Sequence, residues 1–508
     1  MLEERRPRSG AAFAAAAAAR EAASLNAYRD PVTWGIAAAV FGAYATLSLF
    51  RLLQLTPSSW DLGIYTEYVK QYAHLRTPIV DIRGAGFNLL GDHFQPIVAL
   101  IAPFFRLFPS PVTLLVAQAL LTTVSVFPIV QAASDKLGAA AGRAVGLAYG
   151  FSWGLQQMIN FDFHEIAFAV PLLAFSLSAL LCGRTRAALL WALPLVFVKE
   201  DQGFTVAAIG LLLLAGGLRA QSPDRTARIR GGALLVAWGL AWSLLAITVI
   251  IPHFNPVHRY YYWGDGGVIG SGTPFSVTGL IRQAFHAWPV KLQTSVMLLL
   301  PTAFIALGSP IALVALPSIC LRFITTTSNY WGTAWHYNAT VMPVLFLAAV
   351  EVMARWRAAP EPAGPSRWGA LGAWSRSLRA VAERHGAAMM VPVAVALAFQ
   401  FPLSNLWHGS TYQISPHVAA DNAAMAQVPD GATVVTTLSL LAPLAARTDT
   451  FWIGNPGNPV TQYVVFDGET SGYSPAPASV PAFIQQLYPK DGYRVVFADD
   501  DVYVFRRG

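Results

Sequence analysis

The chain has 508 residues, 12% charged and 55% hydrophobic, with a mean hydropathy of +0.47. An average soluble domain is about 25% charged, so this chain cannot solvate the surface of a soluble fold of its size, which excludes a cytosolic globular enzyme, a disordered chain and a disulfide scaffold and leaves a polytopic membrane protein. The net charge of +7 sits in short loops between apolar runs and forms no recurring basic face, so nucleic acid is not a partner.

Residues 1–31 read as a cytosolic tail rich in Ala and Arg, with no apolar core before Val32 and hence no cleavable signal. A membrane-spanning helix needs about 20 apolar residues. Eleven candidates follow: 32–54, 111–133, 142–159, 165–182, 187–199, 203–218, 231–251, 290–307, 309–325, 338–354 and 387–403. Residues 94–108 carry Pro96, Pro103 and Arg106 and read as an interfacial helix within a long first outer loop, 55–110. With that choice, the inner segments hold nineteen of the 34 Lys and Arg, including the clusters RAQSPDRTARIR and ARWR. Positive charge marks the cytoplasmic side, so the N-terminus is inside. The stretch 359–366 is an inner linker, and residues 367–385, with Trp368, Leu371, Trp374, Leu378 and Val381 on one side, predict a helix on the inner leaflet.

Residues 32–403 thus form the transmembrane domain. The last 105 residues, 404–508, alternate β-rich runs (ATVVTTLSLL, QYVVFDG, YRVVFAD, VYVFRR) with the turn signals Pro429-Asp430-Gly431 and Lys490-Asp491-Gly492. They predict a small extracytoplasmic α/β domain. Asp499-Asp500-Asp501 between two strands reads as a hairpin turn rather than a calcium site. Cys182 and Cys320 lie in or beside apolar runs and do not suggest a disulfide.

Ionisable groups are costly near hydrocarbon and therefore informative. Five clusters fall at the predicted outer helix ends: Trp60-Asp61-Leu62-Gly63-Ile64-Tyr65, Gly91-Asp92-His93-Phe94-Gln95-Pro96, Asp162-Phe163-His164-Glu165, Lys199-Glu200-Asp201-Gln202 and Trp335-His336-Tyr337-Asn338. Their convergence on one side predicts a site. The carboxylates Asp61, Asp92, Asp162 and Glu165 are candidates for a general base or metal ligands, and His93, His164 and His336 for metal or anion binding. The plainer alternatives are that Asp61 caps a helix and that Lys199 and Glu200 form a local ion pair. Asp162-x-His164-Glu165 lacks the His pair of zinc proteases, and no G-x-S-x-G, P-loop or kinase signature occurs. Gly264-Asp265-Gly266-Gly267 is an ordinary glycine-rich turn. Arg322, inside an apolar run, suits pairing with a carboxylate or gripping a lipid phosphate. The loop 252–289, with Tyr260-Tyr261-Tyr262-Trp263, either covers the site, binds sugar faces or forms an interfacial aromatic belt.

WDLGIY, LLGDHFQPIVAL, FDFHEIAFAVPLLAF, VKEDQG and WHYNA resemble, in order, the motifs of an uncharacterised family of bacterial and archaeal predicted membrane proteins. More distantly, the layout is similar to the polytopic C-type (GT-C) glycosyltransferases, which take sugars from polyprenyl-phosphate carriers. That resemblance implies a GT-C-like bundle in a bacterial plasma membrane, with the C-terminal domain outside. It further implies transfer of a sugar to an envelope glycan, lipid or protein acceptor, with no nucleotide cofactor and with room for a divalent metal, magnesium or manganese. Asp61 takes the place of the superfamily's acidic residue, which acts as base or helps bind metal and acceptor. It is followed by Leu62, so the frequent paired acidic motif is absent and Asp92 stands as its substitute. Tyr65, His93, Lys199, Arg322 and His336 are then expected to bind substrate and lipid phosphate. Asp162, His164, Glu165, Glu200 and Asp201 are expected to shape the site or hold metal. The rival functions are a lipid or solute transporter or flippase, and a non-catalytic subunit of envelope polysaccharide assembly.

Overall fold

The computed structural model describes residues 26–219, 224–263, 277–358, 369–473, 475 and 477–508. Most of the expected N-terminal tail, the linker 359–366, Trp368 and the Gly264–Gly267 turn lie outside these residues, as do the side chains of residues 369–378. In chain order the helices are α1 (Pro31–Leu53), α2 (Asp61–Ala73), α3 (Pro96–Leu107), α4 (Pro111–Leu137), α5 (Ala139–Gly150), α6 (Trp153–Asn160), α7 (Glu165–Leu181), α8 (Thr185–Phe197), α9 (Gln202–Arg219), α10 (Arg225–Phe254), α11 (Val277–Phe285), α12 (Trp288–Leu299), α13 (Pro310–Ile324), α14 (His336–Ala358) and α15 (Gly369–Ala398). Beyond them come α16 (Pro416–Ala426), β1 (Thr433–Thr436), α17 (Leu441–Ala445), β2 (Asp449–Trp452), β3 (Tyr463–Asp467), α18 (Val480–Leu487), β4 (Tyr493–Asp499) and β5 (Val502–Arg507).

Among the described residues, α1, α4, α9, α10, α14 and the Arg379–Ala398 part of α15 are long and apolar enough to cross a membrane. The apolar helices α3, α7, α8 and α13 are shorter. Of the eleven expected spans, 165–182, 187–199 and 309–325 correspond to the shorter helices α7, α8 and α13, and three others need correction. Residues 142–159 are not one helix, because the chain breaks at Phe151 and Ser152 between α5 and α6. Residues 290–307 break where Ala303 and Phe304 take left-handed conformations (φ 48° and 62°). The expected span 387–403 stops at Ala398 and is continuous with the preceding segment, so 367–385 is not a separate interfacial helix. A helical segment through Pro392 tolerates the lost hydrogen bond when neighbours satisfy the freed carbonyl.

Local sequence sets these elements. Asp30 caps α1, accepting from Thr33 N at 2.9 Å, with Pro31 at the first helical position and Arg143 bound to its carboxylate at 2.7 Å. Along α3 the chain exposes Leu100, Phe104 and Leu107 and buries Val98, Ile101 and Phe105. That one-sided pattern suits a helix lying in a membrane interface. Helices α9 and α10 approach through glycines: a Cβ on Gly210 would meet Gly232 O at 2.7 Å. Small residues of this kind let membrane helices pack backbone to backbone.

The C-terminal sheet has strand order β2-β1-β3-β5-β4, with β2, β1 and β3 parallel and β3, β5 and β4 antiparallel. The expected runs supply β1, β3, β4 and β5; β2 falls outside them, and α16, α17 and α18 are the helices of the expected α/β domain. Asp500 and Asp501 both have positive φ (43° and 60°) and form the tight β4–β5 hairpin turn. This domain docks on α2. A Cβ on Gly63 would meet Leu441 Cβ of α17 at 2.9 Å, Lys70 Nζ donates to Thr448 O at 2.7 Å, and Trp60 packs edge-on against Trp452. Helix α2, which opens with Asp61, is thus gripped from the side opposite the bundle.

Glu67, nearly two turns along α2, is 1% exposed and accepts from Ile82 N at 3.1 Å. Burial pushes its carboxyl up to about 8, against the pull of Lys70. A raised folded value means that the protonated acid supports folding fully below the unfolded value near 4.5 and that this support is lost as pH rises through about 8. Glu67→Gln is therefore expected to raise the unfolding midpoint at pH 7–8, by the equivalent of a few kcal/mol (roughly 1.4 kcal/mol per pH unit), and to change nothing below pH 4.5. Thermal unfolding in detergent across pH checks this.

Candidate active site

Two sharp backbone features bring the polar clusters together. Asp162 (φ 65°) turns the chain between α6 and α7, and Trp335 (φ 71°) turns it into α14. The first turn presents His164 and Glu165, the second His336 and Tyr337. Their imidazoles stack, His164 on His336, with ring centroids 3.9 Å apart. Across from them α2 contributes Asp61 and Tyr65, the segment after α8 contributes Lys199, Glu200 and Asp201, and α13 contributes Arg322.

Asp61 is the first residue of α2, not its cap; the capping position is Trp60, whose side chain makes no capping bond. The Asp61 carboxylate instead accepts from Ser59 Oγ and lies 3.7 Å from His164 Nε2. Burial raises its proton affinity, but the His164 and Ser59 contacts outweigh burial and hold the carboxyl below its ordinary value. It is therefore ionised at neutral pH. Asp61, Asp92, Tyr65, His93 and His164 line one cavity, together with Arg83, Lys199 and His336. Asp92 is engaged by Arg83 Nε at 3.5 Å and by the Tyr262 hydroxyl at 3.1 Å.

A second cavity adjoins the first, and His93, Lys199, Tyr262, Tyr330, His336 and Tyr337 line both. Its other walls include Glu165, Glu200, Asp201 and Arg322, with apolar Ile166, Phe204, Ile247 and Leu321. Most charges here are paired. Lys199 Nζ donates to Glu165 Oε1 at 2.9 Å, and the Tyr65 hydroxyl bonds the other Glu165 oxygen. Glu200 is held by His93 Nδ1 at 2.8 Å, by Phe94 N at 3.1 Å and by the Tyr260 hydroxyl at 2.9 Å. Lys199 therefore pairs with Glu165 across sequence, not with its neighbour Glu200. Asp201 accepts from Gln202 Nε2 at 3.2 Å.

Arg322 differs. It is 7% exposed, and its guanidinium donates only to neutral acceptors: Tyr330 O at 3.0 Å, Tyr337 O at 3.1 Å and Asn338 Oδ1 at 3.0 Å. Among the described residues, its Nη2 is buried without a partner. A buried cation with a free donor on a cavity wall is poised for an anion. The expected role of Asp162 fits less well. Its carboxylate accepts from Ser58 N at 2.8 Å and lies 3.8 Å from Arg51, so it fastens the first loop to the α6–α7 turn and lines neither cavity. Nor do these cavities offer a metal cage: among the described residues, the three-ligand group of His and carboxylate atoms lies elsewhere, in the C-terminal domain.

The family model for "Predicted membrane protein (DUF2079)" matches residues 51–504. The chain belongs to this family. In fold it is similar to the crystal structure of ArnT from Cupriavidus metallidurans bound to undecaprenyl phosphate, at a TM-score of 0.53 and 14% identity over 92% of this chain and 97% of ArnT. It is similar also to apo ArnT from the same organism, at a TM-score of 0.50 with the same identity and coverage. The DUF2079 chain thus has an ArnT-like fold. No curated protein matches its sequence.

Of the residues that build these cavities, Tyr330, Ser59 and Arg83 stand outside the polar clusters of the sequence. Tyr330 and Tyr337 stand between the two cavities, and Ser59 and Arg83 hold the two candidate carboxylates. Tyr337 lies inside the WHYNA cluster and was legible there. Tyr330 and Arg83 carry no local signal, since only the chain's return path brings them to the site.

Proposed function

We propose that this protein is a membrane glycosyltransferase that moves a sugar from a polyprenyl-phosphate donor to an acceptor of the cell envelope. The observation that carries the reading is Arg322 Nη2, a buried, unpartnered donor on the wall of a cavity that also has apolar lining. A lipid phosphate supplies both the negative charge and the apolar tail that such a cavity suits. The likeness to a fold whose crystal structure binds undecaprenyl phosphate supports it. The Arg-rich loops argue that the opposite end of the bundle is cytoplasmic, so the site and the C-terminal domain face outward from a bacterial plasma membrane.

In this reading the donor phosphate lies against Arg322 and Lys199, and the acceptor hydroxyl enters the adjoining cavity beside Asp61. The ionised Asp61 takes the hydroxyl proton as the acceptor oxygen attacks the anomeric carbon, a general-base role. The bond from that carbon to the lipid phosphate breaks, with inversion, and the polyprenyl phosphate leaves with the electron pair. Arg322 and Lys199 stabilise the charge that develops on it. Asp61, His164 and the shared wall of His336, Tyr330 and Tyr337 set the approach. His93 and Glu200 hold one side of the donor cavity, and Asp92 with Arg83 and Tyr262 closes the acceptor side.

The test is turnover. Purified protein in detergent, given a polyprenyl-phosphate-linked sugar and envelope extract, is expected to release free polyprenyl phosphate as the sugar appears on an acceptor. Saturable binding of the donor with no consumption across envelope fractions would overturn transfer in favour of carriage of the lipid.

A further inference from the structure

Outside these cavities, the C-terminal domain gathers one imidazole and several carboxylates. His417 and Asp421 are one turn apart on α16 and face the same way. Asp467 ends β3, and Asp500 lies in the β4–β5 turn. His417 Nε2 is 3.0 Å from Asp467 Oδ1 and 3.9 Å from Asp421 Oδ2; its Nδ1 is 3.2 Å from Asp500 Oδ2 and 3.4 Å from Glu469 Oε2. One donor atom from each of His417, Asp421 and Asp467 lies within 4.8 Å of the others. Donors around an ion with bonds of ~2.1 Å stand about 3–3.5 Å apart, so a small contraction closes the set.

An ion cluster built on a charged imidazole leaves one group unaccounted for. Both ring nitrogens already face Asp467 and Asp500, yet Asp421 is 1% exposed and its Oδ1 has no hydrogen-bond partner among the described residues. A buried carboxylate oxygen left without a hydrogen bond is costly, and no further N–H of His417 remains to serve it. Asp467, by contrast, is fixed in advance. It accepts from Glu469 N at 2.9 Å, Thr470 N at 3.1 Å and Ser439 Oγ at 3.0 Å. Ligand carboxylates oriented by such outer bonds are characteristic of metal sites.

We infer that His417 Nε2, Asp421 and Asp467 form a site for a divalent transition cation of the manganese or zinc type, with Asp500 and Glu469 on the Nδ1 edge of the imidazole, where they orient the ring. The imidazole argues against calcium and magnesium, which take oxygen ligands. The assignment is independent of the transfer reaction.

Full-length protein in detergent, stripped with EDTA and dialysed against Mn²⁺, is expected to retain an equivalent of Mn²⁺ whose pulsed electron paramagnetic resonance shows coupling to an imidazole ¹⁴N. Asp421→Asn and His417→Gln should each lose that equivalent and that coupling, whereas Asp61→Asn should keep both. Wild-type protein lacking ¹⁴N-coupled Mn²⁺ would overturn the site without any variant. So would stoichiometry and coupling that persist in His417→Gln.

Discussion

Asp61→Asn is expected to lower sugar transfer by about 10²–10⁴-fold, the usual contribution of a positioned general base. Asn keeps the size of the side chain and can still bond Ser59, but cannot take a proton from an acceptor. Because Asp61 occupies the first helical position and Trp60 the capping one, the substitution removes no cap. The unfolding midpoint should therefore move little, by the equivalent of about 0.5 kcal/mol, and donor binding should be unchanged. The pH profile gives a second readout. The His164 and Ser59 contacts keep the Asp61 carboxyl below its ordinary value despite burial, so wild-type transfer should hold from neutral to mildly acid pH and fall only as Asp61 protonates. His164→Phe, which removes the neighbouring imidazole while keeping a ring against His336, should shift that acid limb upward. Wild-type turnover in Asp61→Asn, measured as release of polyprenyl phosphate, would remove Asp61 from the mechanism and make Asp92 the next carboxylate to test.

The membrane class was legible in composition, because a chain this poor in charge has one way to bury its apolar surface. The polar clusters were legible too, because ionisable residues among apolar runs stand out. Their partners were not. Sequence neighbours suggested that Lys199 pairs with Glu200, whereas the fold sends Lys199 to Glu165 and Glu200 to His93. Such choices depend on how the chain returns, which periodicity does not encode. Breaks in the helices were equally hidden: Ala303 and Phe304 take left-handed conformations with neither glycine nor asparagine to announce them. The hairpin at Asp500 is readable from its flanking strands, but its approach to His417 requires α16, whose place within the expected α/β domain no local signal marks.

Arg322→Met should keep the protein in the membrane and weaken polyprenyl-phosphate binding about tenfold to a hundredfold, the equivalent of the ~1.5–3 kcal/mol carried by a hydrogen bond to a charged group. The substitution has a structural cost as well. It strands the acceptors Tyr330 O, Tyr337 O and Asn338 Oδ1, so a lower unfolding midpoint alone decides nothing. The phosphate does decide. If the free Nη2 binds the anion, the loss should appear with polyprenyl phosphate and vanish with the parent polyprenol, which has the same tail and no charge. A distorted cavity would weaken both. Arg322→Lys sharpens the comparison: an ammonium restores charge but not the planar fork that bonds the carbonyls and the ligand together, so it should recover part of the phosphate preference. Equal affinity of wild type and Arg322→Met for polyprenyl phosphate would assign the guanidinium to holding α13 against the turn before α14, and would leave Lys199 as the cation facing the phosphate.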